Sequence, residues 1–165
     1  IKCGAEKLII NNALFNDTSI VSSFRDTIGS QSIVASLDIK KNWYGSYKIF
    51  NYTKKKSIKL DIINFIKNLE KNGVGELLLN YVDRDGTFSG YNIDHCKIIA
   101  QNLDIPVILS GGCGSLSDML KAVKYGKASA VAAGSYFVYQ RPHRAVMINY
   151  PNQKDLLEKV FSGIN

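Results

Sequence analysis

Five short apolar runs, rich in Leu and β-branched residues, recur along the chain, and each is followed by a polar loop and a helical pattern. Short runs of this kind between turn residues are typical of strands that are buried on both faces. The pattern predicts strands at residues 7–11, 32–38, 76–82, 106–110 and 130–133. The sequence is therefore that of an α/β protein.

The segments between the predicted strands carry apolar residues about one helical turn apart. Ile20, Phe24 and Ile28 form such a stripe, which Gly29 ends, so a helix with one buried face is expected there. The same pattern predicts helices at residues 62–69, 93–102, 116–125 and 155–161. Alternating residues at 47–51 predict a small hairpin before the second helix. The chain thus reads as five βα units in a row.

Strands separated by single helices form a parallel sheet, which leaves an open doubly wound sheet or a closed eight-stranded barrel. An open sheet gathers its ligand loops at one switch point. Here several successive strands end in polar or glycine-rich loops, as they do in a (βα)8 TIM barrel. We therefore predict that residues 1–165 are one partial barrel domain, a C-terminal fragment with strands 4 to 8 present and strands 1 to 3 missing.

The formal net charge of +7 suits nucleic acid, an acidic partner or an anionic substrate. The dense lysine cluster at 54–56 is surrounded by aromatic residues, so nucleic-acid binding is an alternative to a solvated loop, but we expect no nucleic acid. No apolar stretch approaches the roughly 18 residues of a membrane span, and the three cysteines lack metal-site spacing. These features predict a cytoplasmic protein with reduced thiols, no bound metal and no membrane contact.

Glycine and small polar residues follow three neighbouring predicted strands, in the stretches DRDGT (83–87), SGGCG (110–114) and AGS (133–135). Glycine lets backbone N–H groups point at an anion, and the loops after strands seven and eight of barrels often bind phosphate. A helix-capping turn is the alternative for the first stretch. We predict a phosphate site at these strand ends, formed by Gly86, Gly111, Gly112, Gly134 and Ser135.

Asp38 closes an apolar strand, which makes it the best candidate for a general acid/base. An ion pair with Lys40 or a turn cap is the alternative interpretation. Asn11 and Asn12 end the first strand, where their amides suit a second anion or a hydroxyl group, although Asn is also a common turn residue.

Lys7 and Glu76 begin two of the predicted strands. They are expected at the opposite, N-terminal end of the sheet, where the simplest interpretation is a stabilising ion pair.

The stretches GAEKLIIN (4–11), SLDIK (36–40), DRDGTFSGY (83–91) and SGGCG (110–114) resemble, in this order and spacing, the cyclase subunit of imidazole glycerol phosphate synthase. The resemblance implies a barrel of the ribulose-phosphate-binding type and a lyase of histidine biosynthesis. It also implies a heterodimer with a glutaminase subunit, whose ammonia converts a ribulosyl aminoimidazole-carboxamide nucleotide to imidazole glycerol phosphate and aminoimidazole-carboxamide ribonucleotide. No cofactor or metal is expected.

By this resemblance Asp38 matches one of two catalytic aspartates, and the other belongs to strand one, so the fragment alone is expected to be inactive. Lys7 and Glu76 match members of a charged ring through which ammonia enters. The resemblance implies that one substrate phosphate is held at Asp85, Gly86, Gly112 and Ser135, and the other at Asn11.

Three features differ from the family pattern. Tyr81 stands where a small Ser is usual, and Asn12 where Thr is usual. Residues 139–153 instead resemble a paralogous branch associated with a sugar amidotransferase, which passes ammonia for acetamidino groups on bacterial surface sugars. That branch is the alternative functional assignment.

Overall fold

The computed structural model describes residues 4–140, 143, 145–148 and 150–164. The strands are β1 (Leu8–Ile10), β2 (Ile33–Lys41), β3 (Tyr47–Asn51), β4 (Lys56–Ile58), β5 (Glu76–Tyr81), β6 (Val107–Ser110), β7 (Ala130–Ala132), β8 (Tyr139–Gln140) and β9 (Ala145–Val146). The helices are α1 (Ser19–Ile28), α2 (Ile62–Asn72), α3 (Ile93–Ala100), α4 (Leu116–Lys124), α5 (Ser135–Val138) and α6 (Gln153–Lys159). The five predicted strands, the helices between them and the hairpin are confirmed.

The main sheet places β1, β2, β5, β6 and β7 side by side and parallel, in the order in which they follow along the chain. The β3–β4 hairpin joins the same sheet, because β3 pairs antiparallel with residues 39–41 at the end of β2. Each crossover therefore returns to the adjacent strand, and the sheet has no switch point of the kind that marks a doubly wound fold. All five C-terminal strand ends lie along one edge.

The two faces of the sheet are buried to different extents. On one face Leu37, Leu79 and Leu109 are aligned across three strands and fully buried against apolar residues of the helices. Burying each such side chain contributes about 1.5–3 kcal/mol. On the other face, Ile9 of β1 is 59% exposed. The helices thus cover one face, and the second face is partly open.

The helix ends follow from local side-chain chemistry. The Asp61 carboxylate accepts a hydrogen bond from the Asn64 N–H (2.7 Å) and caps α2, and the caps of α3, α4 and α6 are made in the same way. Before α1, the Asp17 carboxylate accepts a hydrogen bond from the Ser19 N–H (2.8 Å). No helix in the described ranges is both long and apolar enough to cross a membrane.

Some element boundaries differ from the sequence prediction, and some elements were not predicted. Strand β2 runs on to Lys41 because its end pairs with β3. Helix α6 begins at Gln153 because the Asn152 side chain caps it. Helix α5 and the β8–β9 pair were not predicted, and within the tail that resembles the paralogous branch, residues 141, 142, 144 and 149 lie outside the described ranges.

Candidate functional site

A row of four residues crosses the sheet near the C-terminal ends of its strands. Asp38 pairs in register with Asn80, Asn80 with Ser110, and Ser110 with Ala132. Residues paired in this way point to the same face of a sheet. Asp38 lies two residues from Ser36 and four from Val34, so the row belongs to the face that the helices do not cover. We call these four residues the strand-end row.

Asp38 is 8% exposed and is held by amides from both neighbouring strands. Its Oδ1 accepts a hydrogen bond from Asn80 Nδ2 (2.9 Å), and its Oδ2 accepts one from Asn11 Nδ2 (3.1 Å). Lys40, the predicted alternative partner, instead lies over the Phe50 ring, 4.9 Å from its centroid. The carboxylate therefore has a fixed orientation, with an acceptor position left on each oxygen.

The amide of Asn11 is directed at Asp38 and, more weakly, at Ser36 Oγ (3.4 Å). Asn12 starts a short 3-10 turn, and its Oδ1 is buried with no hydrogen-bond partner among the described residues. A buried, unpaired amide oxygen is costly unless a donor reaches it. Asn12 Oδ1 is therefore an unsatisfied acceptor close to the end of β1.

The six residues predicted for a phosphate site lie together around one small cavity of about 10 Å³, which is about the room for one water molecule. At Gly111 the backbone has a φ of +93°, and a Cβ there would lie 2.6 Å from the Tyr81 carbonyl oxygen. Only glycine fits this approach of two chain segments. The cavity is lined by Asp85, Gly86, Gly111, Gly112, Cys113, Ala132, Ala133, Gly134, Ser135 and Tyr136.

Hydrogen bonds fix the loops around this glycine cavity. The Gly90 N–H donates to the Gly112 carbonyl (2.8 Å), and Arg84 Nη1 donates to the Gly90 carbonyl (3.0 Å). Tyr91 Oη donates to the Ala132 carbonyl (2.9 Å), and burial raises the pKa of Tyr91, so the hydroxyl stays protonated. The Asp83 carboxylate accepts a hydrogen bond from the Lys41 N–H (2.6 Å).

An aromatic cluster ties the hairpin to α3. Tyr81 Oη and His95 Nδ1 are 2.7 Å apart, and the Tyr47 ring stacks on His95 with centroids 4.3 Å apart. Burial lowers the pKa of His95 and raises the pKa of Tyr81. The Tyr81 hydroxyl therefore donates to a neutral His95, and the packing of Tyr47 against both rings anchors the base of the hairpin.

Lys7 and Glu76 form an ion pair at the opposite end of the sheet. Lys7 precedes β1 and Glu76 opens β5, so the pair spans the N-terminal end of β2 as the sequence predicted. The two side chains are 45% and 21% exposed. Exposed pairs of this kind contribute little, about 0–1 kcal/mol.

Two described cysteines, Cys96 and Cys113, are free and buried. Burial raises the pKa of both thiols, which disfavours the reactive thiolate. Cys113 donates to the Ser115 carbonyl, while His95 is occupied by Tyr81. The described ranges hold no group of three His, Cys, Asp or Glu side chains arranged as metal ligands.

The sequence prediction missed Asn80 and Ser110 as members of the site. Asn80 occupies an apolar strand at an even spacing from Glu76, which places both on one face. This alternation along the strand is the sequence feature that could have identified Asn80 as a site residue. Its contact with Asp38, from a strand 42 residues away, depends on a register that the sequence does not specify.

The mostly parallel, sequentially ordered sheet makes this an α/β protein, and its oriented carboxylate and glycine cavity lie at the C-terminal strand ends, where proteins of the barrel class carry their active sites. The sequence model of the family described as "Histidine biosynthesis protein" matches residues 1–143. The chain belongs to this family.

Relatives with assigned descriptions point the same way. A Pseudomonas aeruginosa protein, provisionally described as imidazole glycerol phosphate synthase subunit hisF2, is 40% identical over 153 residues, which cover 93% of this chain and 61% of the relative. A Vibrio vulnificus protein, provisionally described as subunit hisF3, is 37% identical over 158 residues (94% and 60%). Subunit HisF of Alkaliphilus metalliredigens is 37% identical over 139 residues (84% and 55%). The chain spans about 60% of the length of the first two relatives.

Proposed function

We propose that this chain belongs to a cyclase subunit of the imidazole glycerol phosphate synthase type. Such a subunit takes ammonia from a glutaminase partner and converts a ribulosyl aminoimidazole-carboxamide nucleotide to imidazole glycerol phosphate and aminoimidazole-carboxamide ribonucleotide. The observation that carries the proposal is the Asp38 carboxylate, held by Asn11 and Asn80 on the same strand-end edge as the glycine cavity. Membership of the family supports it.

The proposal includes a closed (βα)8 barrel of the ribulose-phosphate-binding type, in which residues 1–165 form one partial domain with strands four to eight. The strands neighbour one another in sequence order, as they do around a barrel. The face without helices, where Ile9 is 59% exposed, corresponds to the barrel interior. Five strands of eight also agree with the 60–61% of the first relatives' length that this chain spans.

Asp38 supplies the acid/base chemistry in this proposal. When ammonia adds to a carbonyl carbon, the attacking nitrogen must lose a proton and the former carbonyl oxygen must gain protons to leave as water. The amides of Asn11 and Asn80 fix the carboxylate and leave an acceptor position on each oxygen. Asp38 accepts the proton from nitrogen and returns it to the departing oxygen. The second aspartate of the family pattern belongs to strand one, so we expect the 165-residue chain alone to be inactive.

Phosphate binding is assigned to the glycine cavity, through Gly86, Gly111, Gly112, Gly134 and Ser135. Asp85 lines the same cavity, but its N–H donates to the Tyr81 carbonyl (3.1 Å) and its carboxylate repels a dianion. We therefore assign Asp85 to a ligand hydroxyl group.

A second phosphate near Asn11 and Asn12 stays a prediction, since Asn11 already donates to Asp38.

The Lys7–Glu76 pair is assigned to the ammonia entrance and to the surface that a glutaminase subunit contacts. It lies at the N-terminal end of the strands, opposite Asp38, so ammonia would travel along the uncovered face of the sheet to reach the carboxylate. A cytoplasmic location belongs to the same proposal.

The alternative is a paralogue that hands ammonia to a sugar amidotransferase. Two observations favour it: the 40% identical relative carries the description hisF2, and Tyr81 fills the end of β5 with a ring bonded to His95. In this alternative the end of the barrel that carries Asp38 transfers ammonia without performing the cyclisation.

The deciding experiment uses the full-length protein with ammonium and the ribulosyl nucleotide. We expect Asp38→Asn to lower kcat by about 100-fold or more, the usual contribution of a general acid/base. Asp104→Asn is the matched control, because Asp104 is an exposed aspartate before β6, at the opposite end of the sheet. It should leave kcat unchanged.

Loss of substrate is followed by absorbance, and circular dichroism verifies that both variants are folded. A folded wild-type protein that activates a glutaminase but turns over no nucleotide would establish the ammonia-transfer alternative. Equal losses in the two variants would remove Asp38 from the acid/base role.

A further inference from the structure

The net positive charge of the chain comes from one segment. Residues 39–60 contain seven lysines and no Asp or Glu. Of the 21 Lys and Arg in the chain, the 14 outside this segment are matched by 14 Asp and Glu. The whole formal charge of +7 therefore belongs to residues 39–60, which comprise the end of β2, the β3–β4 hairpin and their loops. We call this segment the basic hairpin.

The basic hairpin stands beside the strand-end row. The basic hairpin begins at residue 39, directly after Asp38. Its first residues, 39–41, are the end of β2 and pair with β3. Lys40 is two residues beyond Asp38 on the same strand, so both side chains belong to one face, about 7 Å apart along the strand. Lys48 is the paired residue of Lys40 and belongs to the same face.

The lysines of this segment lack acidic partners. None of them forms an ion pair within the ranges that the structure describes. The Lys40 ammonium lies over the Phe50 ring and the Lys41 ammonium over the Tyr47 ring, 4.9 and 5.9 Å from the ring centroids. The Asp83 carboxylate accepts a hydrogen bond from the backbone N–H of Lys41. Like charges placed opposite each other, as in the Lys40–Lys48 pair, destabilise a sheet unless an anion lies between them.

We propose that the basic hairpin draws phosphorylated small molecules to the strand ends and that Lys40 and Lys48 contact a phosphate group of the bound ligand. The inference rests on the proposed function, since it names how the phosphorylated ligand of that site is captured. A one-signed patch beside a cleft raises the local concentration and the association rate of an oppositely charged ligand. Salt screens this attraction over about 10 Å at 0.1 M, so the effect depends on ionic strength.

The test measures binding of ribose 5-phosphate to the full-length protein by calorimetry, at about 0.02 M and about 0.5 M salt. The first variant neutralises the remote lysines of the hairpin, with Lys54, Lys55 and Lys56 replaced by Gln. The second is Lys40→Gln with Lys48→Gln, and its conservative form replaces both with Arg. The matched control for the first variant replaces Lys71, Lys97 and Lys121 by Gln. These exposed lysines lie on three helices, and their replacement removes the same three positive charges.

We expect both Gln variants of the hairpin to raise the Kd about threefold to tenfold at low salt and less than twofold at high salt. The Arg form should restore binding, and the helix control should change the Kd less than twofold. Equal losses in the helix control would overturn the inference, because net charge alone would then explain them. Tighter, hairpin-dependent binding of a single-stranded oligonucleotide would also overturn it.

The outcomes separate this inference from the proposed reaction. A wild-type protein that binds no ribose 5-phosphate, or binds it independently of the hairpin, overturns the inference whatever its turnover. Charge-dependent binding of ribose 5-phosphate without turnover of the nucleotide supports the inference and contradicts the proposed cyclase function.

Discussion

His95 shows how a single buried side chain makes the stability of this fold depend on pH. It accepts a hydrogen bond from Tyr81 and stacks on Tyr47, and burial lowers its pKa. Above a pH of about 6.5, the ordinary pKa, the ring is neutral in both the folded and the unfolded chain. Below that pH the unfolded chain binds the proton more readily, so the free energy of unfolding falls as the pH falls.

We predict that the wild-type protein loses stability between about pH 7.5 and about pH 5.5, and that His95→Gln, which keeps an acceptor, loses less. The difference is at most about 1.4 kcal/mol per pH unit and smaller in practice, because His95 is only half-buried. Urea unfolding of both proteins at the two pH values measures it. Parallel stability profiles for the two proteins would contradict this account.

At the residue scale, the sequence predicted Asp38 but not its partners. A carboxylate that ends an apolar run can be recognised from the sequence alone. The amides that orient it come from Asn11 and Asn80, 27 and 42 residues away. Their meeting depends on strand register, which is fixed by packing of the whole sheet and not by local sequence.

At the scale of elements, the loop after β6 is built around a glycine that cannot be replaced. Gly111 combines a φ of +93° with backbone atoms of Tyr81 close enough to exclude a Cβ. Gly134 in the next loop has a φ of −102° and open space around it. The two glycines line one cavity but have different structural roles.

We predict that Gly111→Ala lowers the free energy of unfolding by about 2 kcal/mol or more, through backbone strain and the clash with β5. Gly134→Ala is the matched control and should change it by less than about 0.5 kcal/mol. Denaturant unfolding of both variants decides the point. A similar cost at the two positions would mean that the loop after β6 adjusts freely.

Elements with a repeated pattern were predictable, and irregular ones were not. The strands and the helices between them follow from apolar periodicity and from caps such as Asp61. The extension of β2 to Lys41 and the β8–β9 pair depend on pairing between two segments of the chain. The apolar pattern within one strand does not show which segment it pairs with.

At the scale of the whole molecule, the outer strands of the main sheet have unpaired edges in the described part of the chain, and one of them exposes an apolar side chain on the face that the helices do not cover. Strand β1 pairs only with β2, and β7 only with β6, within the described ranges. Ile9 on the uncovered face is 59% exposed. Unpaired strand edges beside exposed apolar side chains favour association between chains.

We predict that the 165-residue chain self-associates as its concentration rises, and that Ile9→Lys shifts it toward the monomer. Ile98→Lys is the matched control. Ile98 is 53% exposed on helix α3, so this substitution adds the same charge away from the sheet face. Sedimentation velocity over a concentration series measures the effect. A wild-type chain that stays monomeric and unfolds cooperatively would contradict it.

The sequential order of the strands separates the framework of this protein from its chemistry. Each parallel strand takes its register from the strands before and after it in the chain, while the loops at the C-terminal edge carry Asp83, the glycines and the hairpin. An insertion in one such loop leaves the pairing of the other units intact, as the β3–β4 hairpin between β2 and β5 illustrates. Evolution can therefore exchange the surroundings of Asp38 one loop at a time, so that closely related chains acquire different substrates on an inherited framework.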